Sequence, residues 1–199
     1  MRRLTCSFLL NHRLSPFFQR RYSNKTNRFW RDLHSSGLTP DRILPSLEDQ
    51  TLPVKYSLGL TNLVARPTNE QAELSKKEMD DSVLILEDKI RKFKPEAVCI
   101  VGKGIWDSIY RKMHGQKIPA KGFDYGWQEG ELLGVIGAGY KEEAWGGARV
   151  FVSPSTSGLV TIDQTVMAGI WKKLGDWANE RRRERGIKVP GEPAVTAAG

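Results

Sequence analysis

Hydrophobic residues recur at helical spacing in several stretches of the chain. The clearest stretch begins after Ser75, which forms the pattern of a capping box with Glu78. Apolar residues then follow at steps of three and four, and Pro95 predicts the end of the helix. The predicted buried stripe consists of Met79, Val83, Leu86, Ile90 and Phe93.

The same spacing predicts three further helices, over residues 27–36, 105–113 and 163–185. The first of them has three apolar residues on one face and Gly37 as its stop. In the last one the predicted buried face consists of Val166, Ile170, Leu174 and Trp177.

Short apolar runs alternate with these helices and predict strands. Ala97–Val101 is wholly apolar, as expected of a buried parallel strand, and residues 132–136 and 148–152 are further candidates. Residues 56–64 are interpreted as a short strand or a pocket-lining loop, and residues 38–55 as loop. The alternation of strands and helices predicts an α/β sandwich with a mostly parallel sheet, whose ligands bind beyond the carboxyl ends of its strands.

Charge is unevenly distributed along the 199 residues. Eight of the 31 basic residues lie in residues 1–31, which contain no acid, so the other 23 are balanced by 23 acidic residues. The net charge of +8 is therefore no argument for nucleic acid by itself, and an anion must be bound locally. Two cysteines exclude a disulfide framework, and no apolar run approaches the roughly 18 residues of a membrane span.

Residues 1–23 are rich in Arg and Ser and free of acid, which is typical of a mitochondrial transit peptide. A disordered tail or a misplaced start explains this composition equally well, and both interpretations stay open. Residues 187–199 are predicted to be a disordered tail, which leaves residues 24–186 as the folded domain.

Several motifs that suggest catalysis have simpler explanations. The sequence VGKGIW at residues 101–106 lacks the glycine and hydroxyl positions of a phosphate loop and predicts a tight strand-to-helix turn. His12, His34 and His114 lack partners at metal or triad spacing. The serines at 153, 155 and 157 lack a nucleophile elbow.

Two stretches carry residue types that suit the binding of phosphate or of a base. In VSPSTSGLV, residues 152–160, small residues allow close approach of the backbone, and turn amides and hydroxyls suit phosphate, although a polar turn explains the stretch alone. In GLTNLVARPT, residues 59–68, Asn62 lies among apolar neighbours. Its carboxamide either reads a base edge or is a core group bonded to backbone.

Together, five motifs occur in an order and spacing that resemble the mismatch-specific thymine/uracil-DNA glycosylases of the uracil-DNA glycosylase superfamily. They are NRFW at 27–30, TLPVKYSLGLTNLVARPT at 51–68, ELSKKE at 73–78, KFKPEAVCIVGK at 92–103 and VFVSPSTSGL at 150–159. The resemblance extends from Asn24 to Trp177 and is poor over residues 114–147. It implies a three-layer α/β/α domain that flips uracil or thymine, mispaired with guanine, out of the duplex and excises it.

The resemblance also implies roles for single residues. The loop matching residues 154–159, which begins at Pro154, pinches the DNA backbone, with Ser155 and Ser157 at phosphate-contacting positions and Gly158 at a position of close approach. Leu159 matches the apolar wedge that fills the gap left by the flipped base. Asn62 matches a base-recognition position. No metal or cofactor is implied, and the expected partner is double-stranded DNA with G·U or G·T mispairs, bound by a monomer without a membrane.

One part of the family pattern is absent. The family carries a central strand followed by G-x-N-P-G, whose Asn positions the catalytic water, and no such motif precedes Asn27. The first strand is therefore expected to be missing or replaced, and residues 4–10 can fill part of its place. Three hypotheses follow: a glycosylase without its water-positioning Asn, an inactive DNA-binding relative, and a mitochondrially imported domain with a vestigial DNA surface. The resemblance implies a nuclear location, and the N-terminal composition implies the mitochondrion as the alternative.

Overall fold

A five-stranded sheet forms the centre of the protein. The computed structural model describes residues 6–10, 22, 24–64, 74–119, 121–135, 145–187 and 189. The sheet has the strand order β2-β1-β3-β5-β4, in which only the edge strand β4 is antiparallel to its neighbour. The strands are β1 (Cys6–Leu10), β2 (Leu58–Asn62), β3 (Ala97–Val101), β4 (Gly126–Leu133) and β5 (Ala148–Ser153).

Helices cover both faces of this sheet. They are α1 (Phe29–Ser35), α2 (Leu52–Tyr56), α3 (Lys76–Phe93), α4 (Lys103–His114) and α5 (Gln164–Glu184), with a 3-10 helix at Ser46–Thr51. Within β3, Cys99 and Val101 pack into a cluster with α1, α2 and α5, whereas Val98 and Ile100 pack into a cluster with α3 and α4. Because successive strand residues point to opposite faces, the sheet is buried on both sides. The predicted three-layer α/β/α sandwich with a mostly parallel sheet is confirmed.

The strand position that the sequence analysis left in question is filled by Cys6–Leu10. This strand lies between β2 and β3 and pairs in parallel with both, so its backbone groups are bonded on both sides. The predicted disordered or transit-like segment 1–23 thus contributes five residues to the sheet. Apart from these and Tyr22, that segment lies outside the described residues, as does most of the predicted tail 187–199.

The predicted buried face of α3 is wrong at one position, and that of α5 is shifted along the helix. Phe93 is 64% exposed, because α3 ends there and Lys94 turns into the left-handed region. Val166 is 56% exposed, because it lies in the first turn of α5, beside the capping Asp163. The buried residues of α5 include Met167, Trp171, Leu174 and Ala178, so the face is rotated by about one residue from the predicted one.

Two further boundaries differ from the prediction. Residues 38–55, predicted as loop, contain the 3-10 helix and α2, whose first turn tolerates Pro53 because that turn needs no backbone donor there. β4 starts at Gly126 rather than near Leu132, because a polar, glycine-containing edge strand shows no apolar run. Residue 136 lies outside the described residues.

A buried arginine fixes the start of β2. Arg182 of α5 is 1% exposed and donates from Nη2 to the carbonyl oxygens of Tyr56 (2.6 Å) and Leu38 (3.1 Å). Its Nη1 donates to Asn179 at 2.6 Å. Since charged groups are buried only when they are well bonded, this arrangement holds the end of α2, and with it the entry to β2, against α5.

Candidate nucleic-acid interface

The two stretches singled out by sequence end at the same edge of the sheet. The register pairs Asn62 with Leu10, Leu9 with Ile100 and Val101 with Ser153. Asn62 and Ser153 are therefore the last residues of their strands at one level, three strand spacings or about 14 Å apart. The structure brings the base-reading candidate and residues 154–159 to the carboxyl edge, where parallel sheets bind ligands.

Residues 154–159, here called the tip loop, present one apolar side chain to solvent. Pro154 is buried, whereas Leu159 is 86% exposed at the tip. A turn closes behind that tip, in which the Val160 amide donates to the Ser157 carbonyl at 3.1 Å. A large apolar side chain held outward on a hydrogen-bonded turn suits insertion into another molecule better than packing in the fold.

The serine hydroxyls of the tip loop bond to its own backbone. The Ser157 amide donates to Ser155 Oγ at 3.3 Å, and the Leu159 amide donates to Ser157 Oγ at 3.4 Å. Both side chains are half-buried. Because each hydroxyl oxygen accepts from the backbone, its own O–H remains available to donate to a phosphate oxygen.

The segment that leads into α1 packs against the tip loop and carries positive charge. The Arg28 amide donates to the Thr156 carbonyl at 2.9 Å. Lys25 and Arg31 are exposed on the same stretch. Sequence reasoning did not assign these cations to the site, although the excess of basic residues before residue 32 was the available signal. They supply the local positive charge that a phosphate backbone needs.

A buried carboxyl group bonds to the Arg28 side chain. Asp32 is 3% exposed and accepts from Arg28 Nη2 at 3.4 Å, while its Oδ2 has no hydrogen-bond partner in the described part of the chain. Burial raises the pKa of Asp32, and the Arg28 guanidinium opposes that shift in part. Arg28 is thereby tethered at both its amide and its side chain.

Asn62 has an open acceptor. Its side chain shares a face of β2 with Leu58 and Leu60, because strand residues alternate between faces. Asn62 Oδ1 is buried and has no hydrogen-bond partner within the described residues. A buried polar atom without a partner costs free energy, so this oxygen is a candidate acceptor for a bound ligand.

Comparison with known proteins identifies the family of this fold. The sequence model of the uracil DNA glycosylase superfamily matches residues 13–175, a range that contains both Asn62 and the tip loop. The chain belongs to this superfamily. It is 34% identical over 164 residues to a G/U mismatch-specific uracil DNA glycosylase of Schizosaccharomyces pombe, covering 81% of this chain and 46% of that protein. The chain thus spans about half the length of this curated relative.

The superfamily match begins after β1, and one residue in its first part was missed by sequence reasoning. Tyr22 has a φ of 53°, an uncommon conformation for a bulky residue, and its ring stacks on Phe29 with centroids 3.7 Å apart. It packs against the same cluster as Leu60 of β2. Tyr22 was missed because residues 1–23 were interpreted from their Arg-rich, leader-like composition and not residue by residue.

The VGKGIW motif and two of the histidines, which were interpreted as structural, make contacts within the fold. Gly102 has a φ of 110° and begins α4, and Lys103 donates to Asp107 at 2.8 Å, so VGKGIW forms the predicted turn. His34 contacts the Thr39 carbonyl, and His114 contacts Glu131, each at 2.9 Å. Within the described ranges, no group of three or more His, Cys, Asp or Glu side chains is placed to hold a metal ion, and no helix has the length and apolarity of a membrane span.

Proposed function

We propose that this chain is a mismatch-specific DNA glycosylase of base excision repair, whose target is uracil or thymine paired with guanine in double-stranded DNA. The observation that carries the proposal is the pairing of an open acceptor on Asn62 with an exposed Leu159 at one edge of the sheet. Membership of the superfamily and the similarity to the G/U mismatch-specific uracil DNA glycosylase of fission yeast support it.

The proposed binding step extrudes the mispaired base into the protein. A mispaired base costs less to unpair than a Watson–Crick base, which favours G·U over G·C at this step. Leu159 then fills the space left in the stack, while Ser155 and Ser157 donate to phosphate oxygens. Lys25 and Arg31 add sequence-independent attraction to the backbone.

Asn62 is proposed to read the flipped base. Uracil and thymine present an N3–H donor flanked by carbonyl acceptors, and a carboxamide offers one acceptor and one donor to this edge. Asn62 Oδ1 lacks a partner in the described part of the chain and would accept from N3–H. Binding of the base would thus satisfy an oxygen that has no partner among the described residues.

The proposed chemistry breaks the bond between the base and C1′ of the sugar. The base leaves with the bonding electrons as an anion that donors in the pocket stabilise. The water oxygen then bonds to C1′, and the proton that the water loses neutralises the base. The family's water-positioning Asn within G-x-N-P-G is not present in the sequence, so little or no excision is expected of the chain as written. That observation favours a second candidate function, mismatch binding without excision. The nuclear location, with the mitochondrion as alternative, stays a prediction.

Replacing Asn62 with Leu tests the proposed recognition step. We expect the affinity for a G·U duplex to fall about 5- to 10-fold, because one hydrogen bond to the base is lost. The free energy of unfolding should rise by about 1 kcal/mol, since the substitution removes a buried oxygen that has no partner among the described residues. Equilibrium binding and urea unfolding measure the two effects.

The matched control is Thr61→Val on the opposite face of β2, which should change neither quantity much. A structural role for Asn62 gives the reverse pattern. In that case Asn62→Leu would lower stability and leave the ratio of G·U to G·C affinity unchanged, and the proposal would be wrong.

A further inference from the structure

Gly158 lies against a residue of the segment that leads into α1. A Cβ atom built on Gly158 would lie 2.7 Å from Thr26 Cβ, 2.8 Å from Thr26 Oγ1 and 2.9 Å from the Thr26 carbonyl oxygen. Its φ is outside the left-handed range in which glycine is favoured. Space, rather than backbone conformation, therefore requires glycine at this position.

Thr26 is itself held by a local turn. Its amide and its hydroxyl both donate to Asn24 Oδ1, at 3.0 Å and 2.9 Å, and the Asn27 amide donates to the Asn24 carbonyl at 2.9 Å. Asn27 Oδ1 in turn accepts from the Phe29 amide at 3.0 Å at the start of α1. The surface that Gly158 contacts is thus bonded to a helix whose first residues are buried in the core.

The tip loop meets this surface at two points. Thr156 is 1% exposed and accepts from the Arg28 amide, and two residues later Gly158 rests on Thr26. Leu159 follows immediately and points into solvent. Both contacts thus lie within three residues of Leu159 and are made in the absence of DNA.

We propose that Thr26 is a positioning residue, which sets the direction of the Leu159 side chain through its contact with Gly158. The expected effect on DNA binding rests on the proposed function. The contact between Thr26 and Gly158 is made in the free protein and does not. A pre-set wedge avoids the loss of loop freedom on binding, which is the general advantage of preorganisation.

The test combines Gly158→Ala, Thr26→Gly and the double variant. Gly158→Ala is expected to displace the tip loop and lower G·U affinity at least 10-fold, with little change in G·C affinity. Thr26→Gly alone should lower it about 3-fold by removing the support. The double variant should bind G·U at least 3-fold more tightly than Gly158→Ala, because two of the three opposing atoms are gone.

Gly169→Ala on α5 is the matched control, because a Cβ there meets nothing within 4 Å, and it should leave G·U affinity unchanged. A general loss of folded protein would lower binding to both duplexes alike and would not move their ratio. Strictly additive effects of the two substitutions, or a harmless Gly158→Ala, would overturn the role of Thr26.

Hydrogen exchange on the free protein separates this inference from the proposed function. Thr26→Gly should accelerate exchange of the Leu159 and Val160 amides several-fold, since the tip loop loses its support. If the unaltered protein shows no preference for G·U while this acceleration is observed, the proposed function fails and the positioning contact stands. Unchanged exchange in the tip loop would contradict the contact whatever the DNA result.

Discussion

Replacing Leu159 with alanine is expected to weaken binding of a G·U duplex about 10- to 100-fold. Burying a leucine side chain contributes about 1.5–3 kcal/mol, and this burial is available only when the side chain enters the base stack. Leu159 is 86% exposed in the free protein, so the free energy of unfolding should change by less than about 0.5 kcal/mol. Fluorescence anisotropy with labelled duplexes and urea unfolding measure the two quantities.

Val166→Ala is the control for this experiment. Val166 is also an exposed apolar residue beyond β5, but it lies on α5 rather than on the tip loop. It should bind G·U as the unaltered protein does. An equal loss of G·U affinity in both variants would show that the effect comes from exposed apolar side chains in general. If Leu159→Ala binds G·U as the unaltered protein does, Leu159 is not a wedge.

Introducing the family's missing motif is expected to have the largest effect on chemistry. Leu10 pairs with Asn62, so a residue placed directly after β1 leaves the sheet beside the base-reading candidate. A variant with Gly-x-Asn-Pro-Gly in place of residues 11–15 should release uracil from a G·U duplex at least about 100-fold faster than the chain as written, because a positioned water replaces a random one. Single-turnover uracil release measures this rate.

The control carries Gly-x-Ala-Pro-Gly at the same place, which restores the loop composition without the carboxamide. It should release uracil as slowly as the starting chain. Rapid excision by the unaltered chain, or an equal gain in the alanine control, would show that other groups position the water. Either result would contradict the hypothesis that excision needs the Asn of the missing motif.

The elements that could be predicted from sequence are those whose signals are local. The capping residue Ser75 accepts from the Glu78 amide at 3.1 Å, and the apolar run Ala97–Val101 forms a fully buried strand, because caps and continuous runs depend on neighbouring residues. Helix ends were less certain. Phe93 and Val166 fit the periodicity, yet in a terminal turn each of them stays more than half exposed.

The two parts of the candidate site could be predicted, but the contact that supports the tip loop could not. Asn62 and the tip loop stand out by their residue types after apolar runs, but it was the family resemblance that assigned them to a site. The contact of Thr26 with Gly158 could not be named, because it joins segments that are distant in sequence. The roles assigned to Ser155, Ser157 and Leu159 in binding DNA stay predictions until duplex binding is measured.

Recognition of the mismatch is tested most directly by the ratio of the dissociation constants for G·U and G·C duplexes of the same flanking sequence. It depends on base extrusion, on Asn62 and on Leu159 together, and it needs no excision. We expect the purified chain to bind the G·U duplex at least about 10-fold more tightly than the G·C duplex at the same salt concentration. Equal affinity for the two duplexes would contradict it.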